Sequence, residues 1–205
     1  MIETRHLEAG MLQHVRHLVR SANYNRRTLL NPSEAVSLGS AWLRNEIAYA
    51  SRTRRLSRVL GVDSKTVERL FAESMEVLEY CKERLEQHST VLPGLLNPNY
   101  APVLYAAIRV LKPNVMVETG VGSGVSSMFY LSAMERNKMG TLHSIDLPLE
   151  NEGLLPIEKR TGWLVPERPR ENWELILGNA KRELPALLKR LGSVDVFYHD
   201  SDHSY

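Results

Sequence analysis

Val115–Gly124 reads VMVETGVGSG, an apolar run that closes on an acid, Glu118, and then on glycines at 120, 122 and 124. The pattern predicts a buried strand running into a tight turn. Lacking Cβ atoms, Gly120, Gly122 and Gly124 permit positive φ and a close approach of backbone to a nucleotide-like ligand. The helix expected from about Val125 to Met134 would aim its amino terminus at the same point. Downstream, Thr141–Ile145 reads as a second strand that stops at Asp146, a carboxylate placed where a ribose would present its hydroxyls. Strand, glycine turn, helix and strand make a βαβ unit, so the fold class expected is α/β with a Rossmann-like parallel sheet.

The chain's 205 residues suit one domain with an appendage and can bury a sizeable core. A hydrophobic share of 43% and a charged share of 24% are those of an ordinary soluble protein. No apolar run is long enough to span a membrane, and the opening MIETRHLEAG has no signal-peptide core, so a cytoplasmic protein with no membrane partner is expected. The formal charge of +2 is too balanced to argue for nucleic acid, and the cluster Arg52, Arg54, Arg55 and Arg58 reads as a solvated helix end. Cys81 is the single cysteine, which rules out an internal disulfide and fits a reducing compartment.

Residues 1–92 carry helical periodicity and no strand signal, and read as a helical region in front of a second domain at 93–205. Leu7, Met11, Val15 and Leu18 recur at helical spacing, and Asn31, Pro32 and Glu34 open another helix that runs to about Ala50. A third starts at Asp63 as N-cap, with Val62 and Val67 placed as a hydrophobic staple. Its stripe of Val67, Leu70, Phe71, Met75, Leu78, Cys81 and Leu85 is expected to be core or a dimer seam. Ser89–Asn99, with Pro93, Gly94 and Pro98, is the linker; a short helix from about Tyr100 to Leu111 stops before Pro113.

Beyond Asp146, prolines at 148, 156, 166 and 169 break up Leu147–Asn172, leaving at most a short helix near Glu158, Lys159 and Arg160. Trp173–Leu177 is a third strand, followed by Gly178, Asn179 and a helix from about Arg182 to Leu191. Val194–His199 is a fourth. It ends in HDSDHSY, where Asp200, Asp202 and His203 gather at the carboxyl end of a strand. This cluster admits three readings: a metal site, an acid and base pair, or a helix cap.

Taken together, VETGVGSG, LHSID, LILGNA and VDVFYHDSDHSY resemble the class I S-adenosylmethionine-dependent methyltransferases, in the subgroup whose fourth strand ends in an acid, a small residue, an acid and a histidine. The resemblance covers about Pro93–Tyr205. It implies that Glu118 orders the glycine turn near the methionine part of the cofactor, that Gly120, Gly122 and Gly124 form the turn, and that Asp146 holds the ribose hydroxyls. It places Asn179 where the family often has an acid reading the adenine amino group. Asp200 would be the strand-end acid that binds a divalent metal in one branch, with Asp202 the weaker candidate, and His203 would stand where that branch carries its general base. The resemblance also implies a sheet in the order 3-2-1-4, incomplete at the C-terminus because the sequence stops at the fourth of seven family strands.

The function expected is methyl transfer from S-adenosylmethionine to an oxygen of a small molecule, with the amino-terminal helices as a lid or a homodimer contact. Two alternatives stand beside it. An NAD-dependent oxidoreductase would use the same crevice, but its fingerprint wants a third glycine five positions after the first, and here it comes at four. The other is a non-catalytic, truncated Rossmann-like module that serves binding or oligomerisation.

Overall fold

The computed structural model describes residues 51–87, 100–148 and 159–201, apart from the side chains of residues 168 and 169. Two compact units are present, Met1–Arg52 and Thr53–Tyr205, and nearly all the described residues belong to the second. The helices expected before Ala50, the linker Ser89–Asn99 and the residues Asp202 and His203 lie outside the described residues.

Residues 51–60 are helical, and α1 follows as Ser64–Glu86. Asp63 caps it: its carboxylate accepts from the Thr66 backbone N–H and from the Thr66 hydroxyl, both at 2.8 Å. These bonds favour the charged carboxylate and hold its pKa below the usual value. The apolar stripe is buried at Val67, Leu70, Phe71, Leu78 and Cys81. Met75, expected on the same stripe, is 42% exposed, and Ser74 is buried instead. The hydroxyl of Ser74 donates to the Phe71 carbonyl at 2.7 Å, so a small polar residue can enter the core with its hydrogen bond made.

Val67, Leu70 and Phe71 pack on Ala106 of α2, Ala101–Leu111, so α1 belongs to the same compact unit as the sheet. A hydrogen-bonded cluster reinforces the apolar contact. Arg109 pairs with Glu73 and donates to the side-chain Oδ1 of Asn137 at 2.9 Å, and Tyr105 donates to Glu73 at 3.3 Å.

β1, Val115–Thr119, leads through the glycine turn into α3, Val125–Asn137, and on to β2, Thr141–Asp146. Within the proline-broken stretch lies α4, Glu167–Arg170, and after it come β3, Trp173–Leu177, α5, Ala180–Leu191, and β4, Val196–His199. Lys159 and Arg160 are not helical and Glu158 lies outside the described residues; among the described residues the short helix of this stretch is α4.

All the pairings are parallel, in the order β3-β2-β1-β4. β4 begins at Val196, two residues later than expected. The Asp195 side chain turns back to accept from the N–H groups of Asn114 and Val115, at 2.8 and 2.9 Å, and fixes the start of both strands. α3 is buried from Val125 to Met134, with Tyr130, Phe129 and Met134 in the main core beside Tyr105 and Ile108 of α2. On the other side Leu187 of α5 packs with Val117 and Ile145. With helices packed on both faces, the carboxyl ends of the strands are the natural place for a ligand.

Candidate functional site

The acid that closes β1 is enclosed. Glu118 is 0% exposed, and its carboxylate accepts from Ser126 at 2.5 Å, Ser127 at 2.6 Å and Ser144 at 2.7 Å. Burial pushes its pKa up to about 7, against the three hydroxyl bonds that favour the charge. Two of those serines open α3 and the third lies in β2. Glu118 therefore ties the start of the helix to two strands, and it holds the glycine turn from behind instead of lining open space at the turn.

The three glycines differ in what demands them. Gly120 has φ 87°, and a Cβ there would lie 2.3 Å from the Asp200 carbonyl oxygen, because the end of β4 crosses directly over the turn. Gly124, with φ 93°, lies against Gly162, whose Cα a Cβ would approach to 3.0 Å. Gly122 has φ 54°, yet a Cβ on it would meet nothing within 4 Å. Packing thus accounts for Gly120 and Gly124, whereas Gly122 stands at an open part of the turn.

Asp146 is brought to this turn. Its Oδ2 accepts from the Val121 N–H at 2.9 Å and the Gly122 N–H at 2.7 Å, and its Oδ1 accepts from the Leu147 N–H at 2.8 Å. A carboxylate offers about four acceptor positions, so one remains. Asn179 caps α5, accepting from the Lys181 N–H at 2.9 Å; its carbonyl oxygen keeps a second lone pair.

Asp200 follows β4 and is exposed, its N–H donating to the Thr119 carbonyl at 2.8 Å. Among the described residues, no three His, Cys, Asp or Glu side chains gather into a metal-binding group. Glu118, Gly120, Gly122, Gly124, Asp146 and Asp200 are thus brought together at one end of the sheet, with Glu118 beneath it.

Sequence reasoning passed over three features of this region. His199 shares a 2.6 Å hydrogen bond between its Nδ1 and the Thr119 hydroxyl. Tyr198 stacks edge-on against the buried Tyr130, centroids 5.6 Å apart, and burial followed by the charges of Asp200 and Glu118 pushes its pKa up. The third is the segment 161–165, which lies on the glycine turn: the Gly162 N–H donates to the Gly122 carbonyl at 2.8 Å and the Leu164 N–H to the Ser123 carbonyl at 3.0 Å. The adjacent pair Ser126 and Ser127 just after the glycine turn was the local signal for the hydroxyls that bond to Glu118.

Compared with known families, residues 117–205 match the family model of a methyltransferase domain. No curated protein sequence matches the chain. Among solved structures, an SAH-bound methyltransferase of Podospora anserina is similar, with 16% identity and a TM-score of 0.45, over 68% of this chain and 58% of that one. The O-methyltransferase TomG of Streptomyces achromogenes, involved in tomaymycin synthesis and solved with SAM, is similar at 18% identity and a TM-score of 0.41, over 61% of this chain and 52% of that one. The chain thus spans between half and three-fifths of the length of these structures. Among the described residues no helix is long and apolar enough to cross a membrane.

Proposed function

We propose that this chain, whose residues 117–205 match the family model of a methyltransferase domain, is a class I enzyme that transfers a methyl group from S-adenosylmethionine to an oxygen of a small molecule. The cofactor supplies a methyl already activated on a sulfonium, which leaves the protein chiefly to align the reactants. The reading rests on one observation above all, the Asp146 carboxylate lying on the N–H groups of a glycine turn whose Gly122 faces open space. That room suits a ligand pressed against backbone, and the remaining acceptor position of Asp146 suits a ribose hydroxyl.

The other residues take roles consistent with this. Glu118 orients the start of α3 through Ser126 and Ser127. Asn179 reads the adenine amino group with its remaining lone pair. His203 takes the proton of the acceptor hydroxyl, which a histidine can do near neutral pH, and Asp200 serves as the ligand for a divalent cation where one binds. The amino-terminal region acts as a lid or a homodimer contact, and the protein works in the cytoplasm.

Two substitutions separate binding from chemistry. Asp146→Asn removes charge and an acceptor position, and is expected to weaken S-adenosylhomocysteine binding about tenfold or more by calorimetry. His203→Ala should leave that binding unchanged and lower kcat about a hundredfold against a hydroxyl acceptor. Wild-type affinity in Asp146→Asn would remove the ribose assignment.

A further inference from the structure

The segment 161–165, which precedes α4 within the proline-broken stretch, is pinned from several sides. Besides its two N–H bonds to the glycine turn, the Thr161 hydroxyl donates to the Leu147 carbonyl at 3.0 Å. The Arg170 guanidinium donates to the carbonyls of Gly162 and Val165, at 3.3 and 2.8 Å. Thr161, Leu164 and Val165 are buried, and Gly162 lies so close to the Trp173 ring that a Cβ would come within 2.3 Å of it. The Trp173 indole N–H in turn donates to Ser144, one of the three hydroxyls on Glu118.

One of these ties comes from far away in the chain. Tyr80, on α1, donates its hydroxyl to the Leu164 carbonyl at 3.1 Å across 84 residues of sequence. The same Leu164 gives its N–H to Ser123 of the turn. Peptide planarity makes this consequential: the Gly122 carbonyl and the Ser123 N–H share one rigid plane, so a strap that holds the carbonyl also sets the direction of the N–H at the start of α3.

We propose that Tyr80 is a positioning residue for the glycine turn, acting through the strap 161–165, so that a helix outside the sheet helps set how the turn presents itself to a ligand. As regards the ligand, this rests on the function proposed above. Tyr105 supplies a matched control, because its hydroxyl also joins the α1 layer but bonds to Glu73 rather than to a strap carbonyl.

The test uses the full chain and the variants Tyr80→Phe, Thr161→Val and Tyr105→Phe, followed by hydrogen exchange and by calorimetric titration with S-adenosylhomocysteine. Loss of one partly buried hydrogen bond should make Tyr80→Phe exchange its 121–124 amides about fivefold faster and bind about fivefold more weakly. Its Tm should stay within about 4 °C of wild type. Thr161→Val loosens the other end of the strap and should give the same signature, whereas Tyr105→Phe should change neither the exchange of the turn nor the affinity. Unchanged exchange at 121–124 in Tyr80→Phe and Thr161→Val overturns the proposal, as does an unchanged affinity or an equal effect of Tyr105→Phe. If the unsubstituted chain takes up no S-adenosylhomocysteine, the proposed function fails, and exchange at the turn alone decides the role of Tyr80.

Discussion

Gly120→Ala is expected to lower the stability of the chain by about 3 kcal/mol or more and its Tm by roughly 10 °C. The new Cβ would meet only backbone: the carbonyl oxygen and carbon of Asp200 at 2.3 and 2.6 Å, and the Ser201 nitrogen at 2.8 Å. No rotamer can relieve such a contact, so β4 must move away from β1 at the point where the Asp200 N–H bonds to Thr119. The positive φ of 87° adds strain. Gly122→Ala supplies the contrast. Its φ of 54° costs about 1 kcal/mol, but nothing obstructs the methyl group, so stability should be nearly retained while S-adenosylhomocysteine binding falls. Thermal melts and titrations of the two variants should therefore rank them in opposite orders.

The second large effect lies at Glu118. Glu118→Ala leaves the hydroxyls of Ser126, Ser127 and Ser144 buried without their acceptor, which should cost about 4 kcal/mol. Glu118→Gln keeps the shape and a set of hydrogen bonds but cannot ionise, and it isolates the charge. The folded-state pKa of about 7 lies above the ordinary 4.5, so the native chain binds this proton more tightly than the unfolded one. The contribution of Glu118 is thus fully present below pH 4.5 and is lost as pH rises to about 7. Over that window it should amount to about 3 kcal/mol. Denaturation curves from pH 4.5 to 8 should show wild type losing stability relative to Glu118→Gln as pH rises. A constant difference between the two would mean that Glu118 keeps an ordinary carboxylate pKa.

Much of the sheet was legible because its strands are short apolar runs closed by acids or glycines. Val115–Thr119 and Trp173–Leu177 fall where the pattern put them, and the order 3-2-1-4 follows the family resemblance. Asp63 was legible as a cap because its spacing to Thr66 is local. What could not be read depends on distance in sequence. Nothing near Glu118 says that Ser144 will reach it, and nothing near Gly162 says that Trp173 will lie beneath it. Nor does the sequence around Glu118 announce its enclosure, which follows because strand alternation turns its side chain toward α3 and the three hydroxyls there make burial tolerable.

The most direct measurement is a calorimetric titration of the full chain with S-adenosylhomocysteine and, separately, with NAD. The account predicts saturable heat with S-adenosylhomocysteine and none with NAD. Heat with NAD alone would contradict it and give the crevice to a dinucleotide.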